Sequence, residues 1–588
     1  MDRLPVMVER KEFRLGQWHV LPDRRLMIRA DDEVRVRPRA MDVLVLLASR
    51  AGEVVTRDDF AQEVWAPAVV TDNSLNRCIA ELRRALDDTS SDPAYIETIP
   101  RRGYRLMREP EYPEAAASDD ARTLLPDASS VRSIAMLPLR VLGEGDVELL
   151  AEGLLHEVLT SLALLGELQV ISATSVYRYR DTVQTAGQIA AELGVHWLLQ
   201  GAIQKAGSRI RVNLQLVDAR RDRNSWARVY EQPIDMDHLF GIQAEIAGDV
   251  ADSLRARIGP EARKSIESIP TRSREAYEAY VQGRILWNSR TDHGLRRAEE
   301  LFRRAVAIDP EFAEAWCGLA DALGMLYDYG YEHSPAVVTK AESALNRALE
   351  LNPDLVDALA SKGALLSGIR RYQASIQALR QAIERSPGLS LAHNWLSWTS
   401  ALIGDARQAE ASGIRAAELD PFSIEGQSNR ALGHLARGDF TAARRVAAHT
   451  LVLQPDFNTA ALYQAIAAWN LDEFEEVISL LEGQSVNWAG AGAEAVLALA
   501  RLRLGQHDVA ERLAVTIAEN RYRFEAGLVR MAMDQPDETR RLWSALDDLD
   551  YFPLMSLHYG WFEDIFDRGQ GTVDVDRLRV LARRVAAA

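Results

Sequence analysis

Between residues 72 and 86, Asn73, Arg77, Ala80 and Arg84 recur at i, i+4, i+7 and i+11, the spacing of one side of a helix. Leu75, Ile79, Leu82 and Leu86 follow the same spacing on the opposite side. The polar side offers a carboxamide, two guanidiniums and a small Ala that permits close approach, with Arg83 on the flank. Such groups hydrogen-bond to base edges, Asn with adenine and Arg with guanine O6 and N7. Asn73, Asn76 and Arg77, near the amino end, are the candidates for base edges, and Ser74 joins them as a candidate DNA contact. Arg83 and Arg84 are the candidates for phosphates, which supply salt-dependent affinity without sequence information. Thr71 or Asp72 can cap the helix start, an end that also suits a phosphate. Residues 95–99, 100–103 and 104–106 then read as strand, basic turn and strand. Arg101 and Arg102 at that turn could read minor-groove width. The plain alternatives are an amphipathic helix with a solvated arginine face and a hydrated turn.

The elements that must hold this face in place precede it. Phe13/Leu15, Trp18/Val20, Leu26/Ile28 and Val34/Val36 alternate, with turn signals at Gly16, Pro22-Asp23 and Asp31-Asp32, so a small antiparallel sheet is expected. Pro38 opens a helix expected to stop at Gly52, and Thr56 caps a second running through Trp65. The order is sheet, three helices, hairpin. The phrase Leu82-Arg83-Arg84-Ala85-Leu86 followed by Tyr95-Ile96-Glu97-Thr98-Ile99-Pro100-Arg101-Arg102-Gly103-Tyr104-Arg105 resembles the winged helix-turn-helix of OmpR/PhoB-type transcriptional regulators, over roughly residues 10–108. That resemblance implies that helix 72–86 enters the major groove of double-stranded promoter DNA and that the hairpin reaches the adjacent minor groove. It also implies that loop 66–71 can face RNA polymerase. No phosphorylatable receiver domain comes first in this sequence, so phosphorylation by a partner kinase is not the expected input.

Residues 111–130, rich in Ala, Asp, Ser and Pro, have linker composition. Expected strands at 133–138, 168–172, 196–204 and 210–217 alternate with helices at 147–165 and 185–193, which indicates an α/β domain over 131–260. Ala190-Ala191-Glu192-Leu193-Gly194-Val195, Gly201-Ala202-Ile203 and Leu214-Gln215-Leu216-Val217-Asp218-Ala219 resemble the TolB amino-terminal-like domain, which brings no catalytic signature. From 270 to 588 the chain is periodic. Pro353, Pro387, Pro421 and Pro455 stand 34 residues apart, and Pro310 precedes the first by 43. Ala298, Ala341, Ser375, Ala409 and Ala443 lie twelve residues before successive prolines; Ala305, Ala348, Ala382, Ala416 and Thr450 lie five before. Small residues there let paired helices approach closely, and the proline punctuates the turn to the next pair. This is similar to the tetratricopeptide repeat, with an aromatic insertion at 328–335 and a tail expected to cap the stack. Tyr327, Tyr329, Tyr331, Trp395 and Trp398 are candidate partner contacts, although such aromatics more often serve packing.

A net charge of −17 at first sight opposes nucleic acid, but residues 1–110 hold 19 Lys+Arg and 19 Asp+Glu, so the remainder carries all of it. Within 73–108 there are seven arginines against five acids, a modest basic footprint. The two cysteines, Cys78 and Cys317, lie far apart, which argues against a disulfide framework and fits a cytoplasmic protein. No stretch reaches eighteen apolar residues, so no membrane partner is expected. No catalytic, cofactor or metal site is expected. Residues 142–146 lack the Lys-Ser/Thr of a phosphate loop, and His156-Glu157 lacks the second histidine of a zinc protease. The fold class is multidomain and mainly α: a winged helix-turn-helix (α+β), a small α/β domain and an α-solenoid of tetratricopeptide-like repeats. The domain order resembles HilA-type one-component activators, which implies activation through RNA polymerase rather than repression. The repeats would take a protein or peptide partner, and a homodimer is one form to test. A scaffold or adaptor whose DNA binding is secondary is the rival reading. A signalling enzyme is a third, since TolB-like domains with repeats also accompany nucleotide cyclases.

Overall fold

The computed structural model describes residues 13–22, 26–29, 32–57, 59–60, 64, 72–86, 88, 93–99, 102–110, 132–142, 147–166, 168–180, 182, 184–219, 221, 223–256, 258–332, 334–482, 490–568 and 575–587. The linker 111–130, loop 66–71, Trp65 and the turn 143–146 lie outside them.

Strands β1 (Phe13–Leu15), β2 (Trp18–Leu21), β3 (Leu26–Arg29) and β4 (Asp32–Arg35) form an antiparallel sheet in sequence order. Its inward residues Phe13, Leu15, Trp18 and Val20 are almost fully buried, as the alternation requires, whereas in β3 the buried side chain is Met27 and Ile28, expected on the apolar face, is only half-buried. Helix α1 (Pro38–Ser49) starts on its proline and ends three residues before Gly52 rather than at it. Gly52 takes φ +79 and donates its N–H to Leu106 O at 2.9 Å. It therefore serves a sheet, not the helix end. That sheet is β5 (Val54–Thr56) beside the hairpin, in the order β5-β7-β6, and three residues were too few to announce β5 in the sequence. Helix α2 (Asp72–Ala85) buries Leu75, Ile79 and Leu82 in the core shared with α1. Hairpin strands β6 (Ile96–Ile99) and β7 (Gly103–Leu106) complete this unit.

Further along, β8 (Arg132–Met136), β9 (Arg140–Leu142), β10 (Leu168–Val170), β11 (Trp197–Ala206), β12 (Arg209–Asp218) and β13 (Arg223–Pro233) form one sheet, ordered β10-β8-β11-β12-β13 with β9 beside β11. β10, β8 and β11 run parallel, and β11, β12 and β13 form an antiparallel meander. Helices α3 (Glu148–Ala163), α4 (Ala186–Leu193) and α5 (Met236–Leu254) accompany it. Strand β13 has no signature in the sequence because it is an edge strand with mostly exposed side chains, so it shows no apolar alternation.

The repeats are antiparallel helix pairs: Arg274–Trp287 with Asp292–Ile308, Ala313–Asp328 with Pro335–Leu351, Val356–Gly368 with Tyr372–Arg385, Ser390–Leu402 with Ala406–Leu419, and Ile424–Arg437 with Phe440–Leu453. All ten small residues picked out by the period are fully buried. Asn458–Asn470 with Phe474–Leu481, Gly490–Arg503 with His507–Glu519, and Arg523–Ala532 with Pro536–Ser544 continue the series. The aromatic insertion falls between helices, and Ser334 caps the next one.

Two long-range contacts hold this half together. The sheet-containing unit seats on successive repeat turns: Ser386 Oγ donates to Ala163 O at 3.1 Å, Ser172 N–H to Leu419 O at 3.1 Å, and Phe422 N–H to Ser175 Oγ at 2.9 Å. The tail does more than cap. Helix Tyr551–Tyr559 returns onto helices Ser390–Leu402 and Ile424–Arg437, where Tyr559 OH donates to Ala401 O at 2.7 Å. Trp398 meets Tyr551 edge-on at 5.2 Å, and Arg370 pairs with Asp548 and Asp550. Trp398, one of the candidate partner contacts, is therefore occupied by the chain's own tail.

Candidate nucleic-acid interface

One face of α2 is buried and the other open because the stripe of Leu75, Ile79 and Leu82 leaves Asn76, Arg77, Ala80 and Arg84 exposed. The side chains of Asn73 and Ser74 lie outside the described residues, although their backbone forms the first turn. Arg77 and Arg84 project outward from a face that Ala80 keeps low. At the hairpin, Arg101 lies outside the described residues, and Arg102 is exposed with its N–H bonded to Ile99 O at 3.1 Å. Gly103 follows because a Cβ there would stand 2.0 Å from Val55 O. The close approach of β7 to β5 thus fixes where the basic tip begins.

Two expected contacts are already engaged inside the unit. The Arg83 guanidinium donates from Nη2 to Ile96 O at 2.9 Å and to Thr98 Oγ1 at 2.8 Å, so it faces β6 rather than open solvent. This differs from its expected place among phosphate contacts. Asn76 Oδ1 accepts from Tyr104 OH at 2.9 Å, while the residue itself stays exposed. Tyr104 is held by burial and by an edge contact to Phe60 at 6.3 Å. With its oxygen so engaged, Asn76 presents its amide N–H groups outward, which suits an acceptor on a base or phosphate.

Sequence reasoning missed Asp88. Its carboxylate accepts from three backbone N–H groups, Ala94 at 2.6 Å, Tyr95 at 3.2 Å and Ile96 at 2.8 Å, and its own N–H donates to Arg83 O at 2.8 Å. A usable signal existed: an acid just past a helix carboxyl end opposes the macrodipole, so it needs another reason to be there. Glu97 and Arg105, opposite each other in the β6–β7 register, pair at 2.5 Å and brace the hairpin. Upstream, Thr56 and Asp59 exchange hydrogen bonds where the sequence expects a helix to begin, most of whose span lies outside the described residues, and Thr56 holds the Asp59 carboxyl below its usual range. Burial pushes the Cys78 thiol up to about 11, which keeps it an unreactive part of the packing.

Residues 31–106 match the family model described as "Transcriptional regulatory protein, C terminal". The chain carries a DNA-binding domain of the OmpR/PhoB type. The Transcriptional regulator HilA of Salmonella typhimurium is 25% identical over 422 residues, 71% of this chain and 72% of that protein. The Transcriptional activator CadC of Escherichia coli is 40% identical over 95 residues, 16% of this chain and 19% of its own. A Putative adenylate cyclase 3 of Rhizobium meliloti is 27% identical over 199 residues, a third of each chain. Among the described residues, no group of three or more His, Cys, Asp or Glu is set to hold a metal ion, and no helix is long and apolar enough to cross a membrane.

Proposed function

We propose that this protein is a sequence-specific DNA-binding transcriptional regulator, with residues 1–110 as the reader, 111–130 as a linker, 131–260 as a coupling domain and 270–588 as protein-interaction repeats. The observation that carries the reading is the open face of Asn76, Arg77, Ala80 and Arg84 beside the exposed Arg102 turn, within a domain that matches a transcriptional-regulator family. Asn73, Asn76 and Arg77 take base edges, Ser74 contacts the DNA beside them, Arg84 takes phosphate, and Arg101 and Arg102 enter the minor groove. Similarity to regulators named activator favours activation, through contact of loop 66–71 with RNA polymerase. A cytoplasmic protein that turns over no substrate fits this assignment, and a nucleotide-turnover assay tests the second part against the cyclase-named relative.

Arg77→Ala should cost roughly 1–3 kcal/mol of promoter affinity and relax the preference at one base pair. Mobility shifts over a series of single-base operator variants check both. Unchanged affinity and unchanged preference would remove α2 from the groove. A wild-type chain that prefers no promoter fragment over random duplex would leave the adaptor reading in its place.

A further inference from the structure

The arginines of α2 divide into two kinds by where their guanidiniums go. Arg77 and Arg84 are exposed. Arg83, between them in sequence, turns back across the unit, bonding a backbone carbonyl and a hydroxyl of the same strand thirteen and fifteen residues later. Its Nε is buried against the protein. The strand it grips, β6, leads directly into the basic turn and pairs with β7 through Ile99↔Gly103. Asp88 holds the N–H groups of Ala94 and Tyr95, which lead into that strand, and of Ile96, its first residue, and is itself tied to the Arg83 carbonyl. One residue thus touches the wing through both its side chain and, by way of Asp88, its backbone.

We propose that Arg83 is a positioning residue: a strut that sets the height and angle of the hairpin relative to α2, without contacting nucleic acid itself. The proposal rests on the DNA-reading assignment above and refines it. Both bonds leave the one Nη2 nitrogen, whose two hydrogens point in fixed directions of the guanidinium plane at the end of a longer side chain, so a shorter, freely rotating lysine ammonium does not reproduce their placement. A phosphate contact has the opposite profile, since lysine serves there as a point charge. The two roles also differ in salt dependence, because each phosphate neutralised contributes about 0.9 to the slope of log affinity against log salt.

The test uses the full chain and a duplex that the wild type enriches from a random-sequence pool. Affinities across a salt series are measured for wild type, Arg83→Ala, Arg83→Lys, Arg84→Ala and Thr98→Val, with amide hydrogen exchange over residues 96–106 of the free proteins. Arg83→Ala should lose roughly tenfold or more in affinity, the scale of hydrogen bonds to a charged group, with the wild-type salt slope. Arg83→Lys should fail to restore it, and Thr98→Val, which changes no charge, should weaken binding in the same direction. Both Arg83 variants should exchange faster in β6. Arg84→Ala should lower the slope by about one contact's worth. A reduced slope for Arg83→Ala, or full affinity for Arg83→Lys, overturns the strut. Should the wild type enrich no sequence, the DNA reading fails by itself. Hydrogen exchange then decides the strut alone: faster exchange in β6 supports it and unchanged exchange overturns it.

Discussion

Replacing Asp88 with Ala should unfold or severely loosen the DNA-reading unit, because three backbone N–H groups lose their acceptor together. Asp88 is 9% exposed, and Ala94, Tyr95 and Ile96 all point their N–H groups at its carboxylate. Each buried donor left without a partner costs about 1–3 kcal/mol, and only part of that is recovered if water enters at the exposed Ala94 end. A total on the order of 3 kcal/mol or more is expected, a large share of the stability of a domain this size. Asp88→Asn retains one acceptor oxygen and should fall between Ala and wild type. Denaturant unfolding of the three proteins gives the ranking, and promoter affinity should follow it because β6 begins at the residues Asp88 holds. If Asp88→Ala unfolds at the wild-type midpoint, these hydrogen bonds contribute nothing, and the wing must be anchored by Arg83 and packing alone.

What the sequence disclosed, and what it hid, divides along a physical line. Periodic burial was legible: Leu75, Ile79 and Leu82 are buried as their spacing required, and the ten small repeat positions sit at the helix contacts. Exposure of Arg77 and Arg84 followed from the same helical geometry. Long-range polar contacts were not legible, because an arginine that reaches back to a strand has the same spacing as one that reaches outward. That is why Arg83 looks the same as Arg84 in the sequence, and why nothing in the sequence shows that Tyr104 grips Asn76 from 28 residues away. Edge elements were hidden for a different reason. β13 shows water most of its side chains, so no alternation marks it. The return of Tyr551–Tyr559 onto helices far earlier in the chain is likewise a tertiary fact without a local pattern.

The junction between α3 and the first repeat should make the protein less stable as pH rises from about 4.5 to about 8, and Glu157→Gln should remove part of that loss. Glu157 lies with His156 in a small open cleft that Tyr280 and Arg284 also line, where the sheet-containing unit meets the first repeat helix. Neither residue has a metal-binding partner in sequence, and both are half-buried where the two units meet. Desolvation, reinforced by Glu314 and Asp357 from the next two repeats and opposed by Arg284, pushes the Glu157 carboxyl up from 4.5 to about 8. Glu314 is pushed up to about 7, again mainly by desolvation. A carboxyl whose pKa is higher folded than unfolded favours the folded state while it stays protonated. Its contribution is complete below the unfolded value near 4.5 and is lost as pH rises through about 8, at about 1.4 kcal/mol per pH unit separating the two values. Glutamine keeps the shape, cannot ionise, and so carries no such loss. Thermal unfolding between pH 5 and pH 9 should therefore show a falling midpoint for wild type and a shallower fall for Glu157→Gln, with the variant the more stable at pH 9. Two parallel curves would mean that Glu157 reaches water and ionises freely, and that the carboxyls of the repeats do not crowd it.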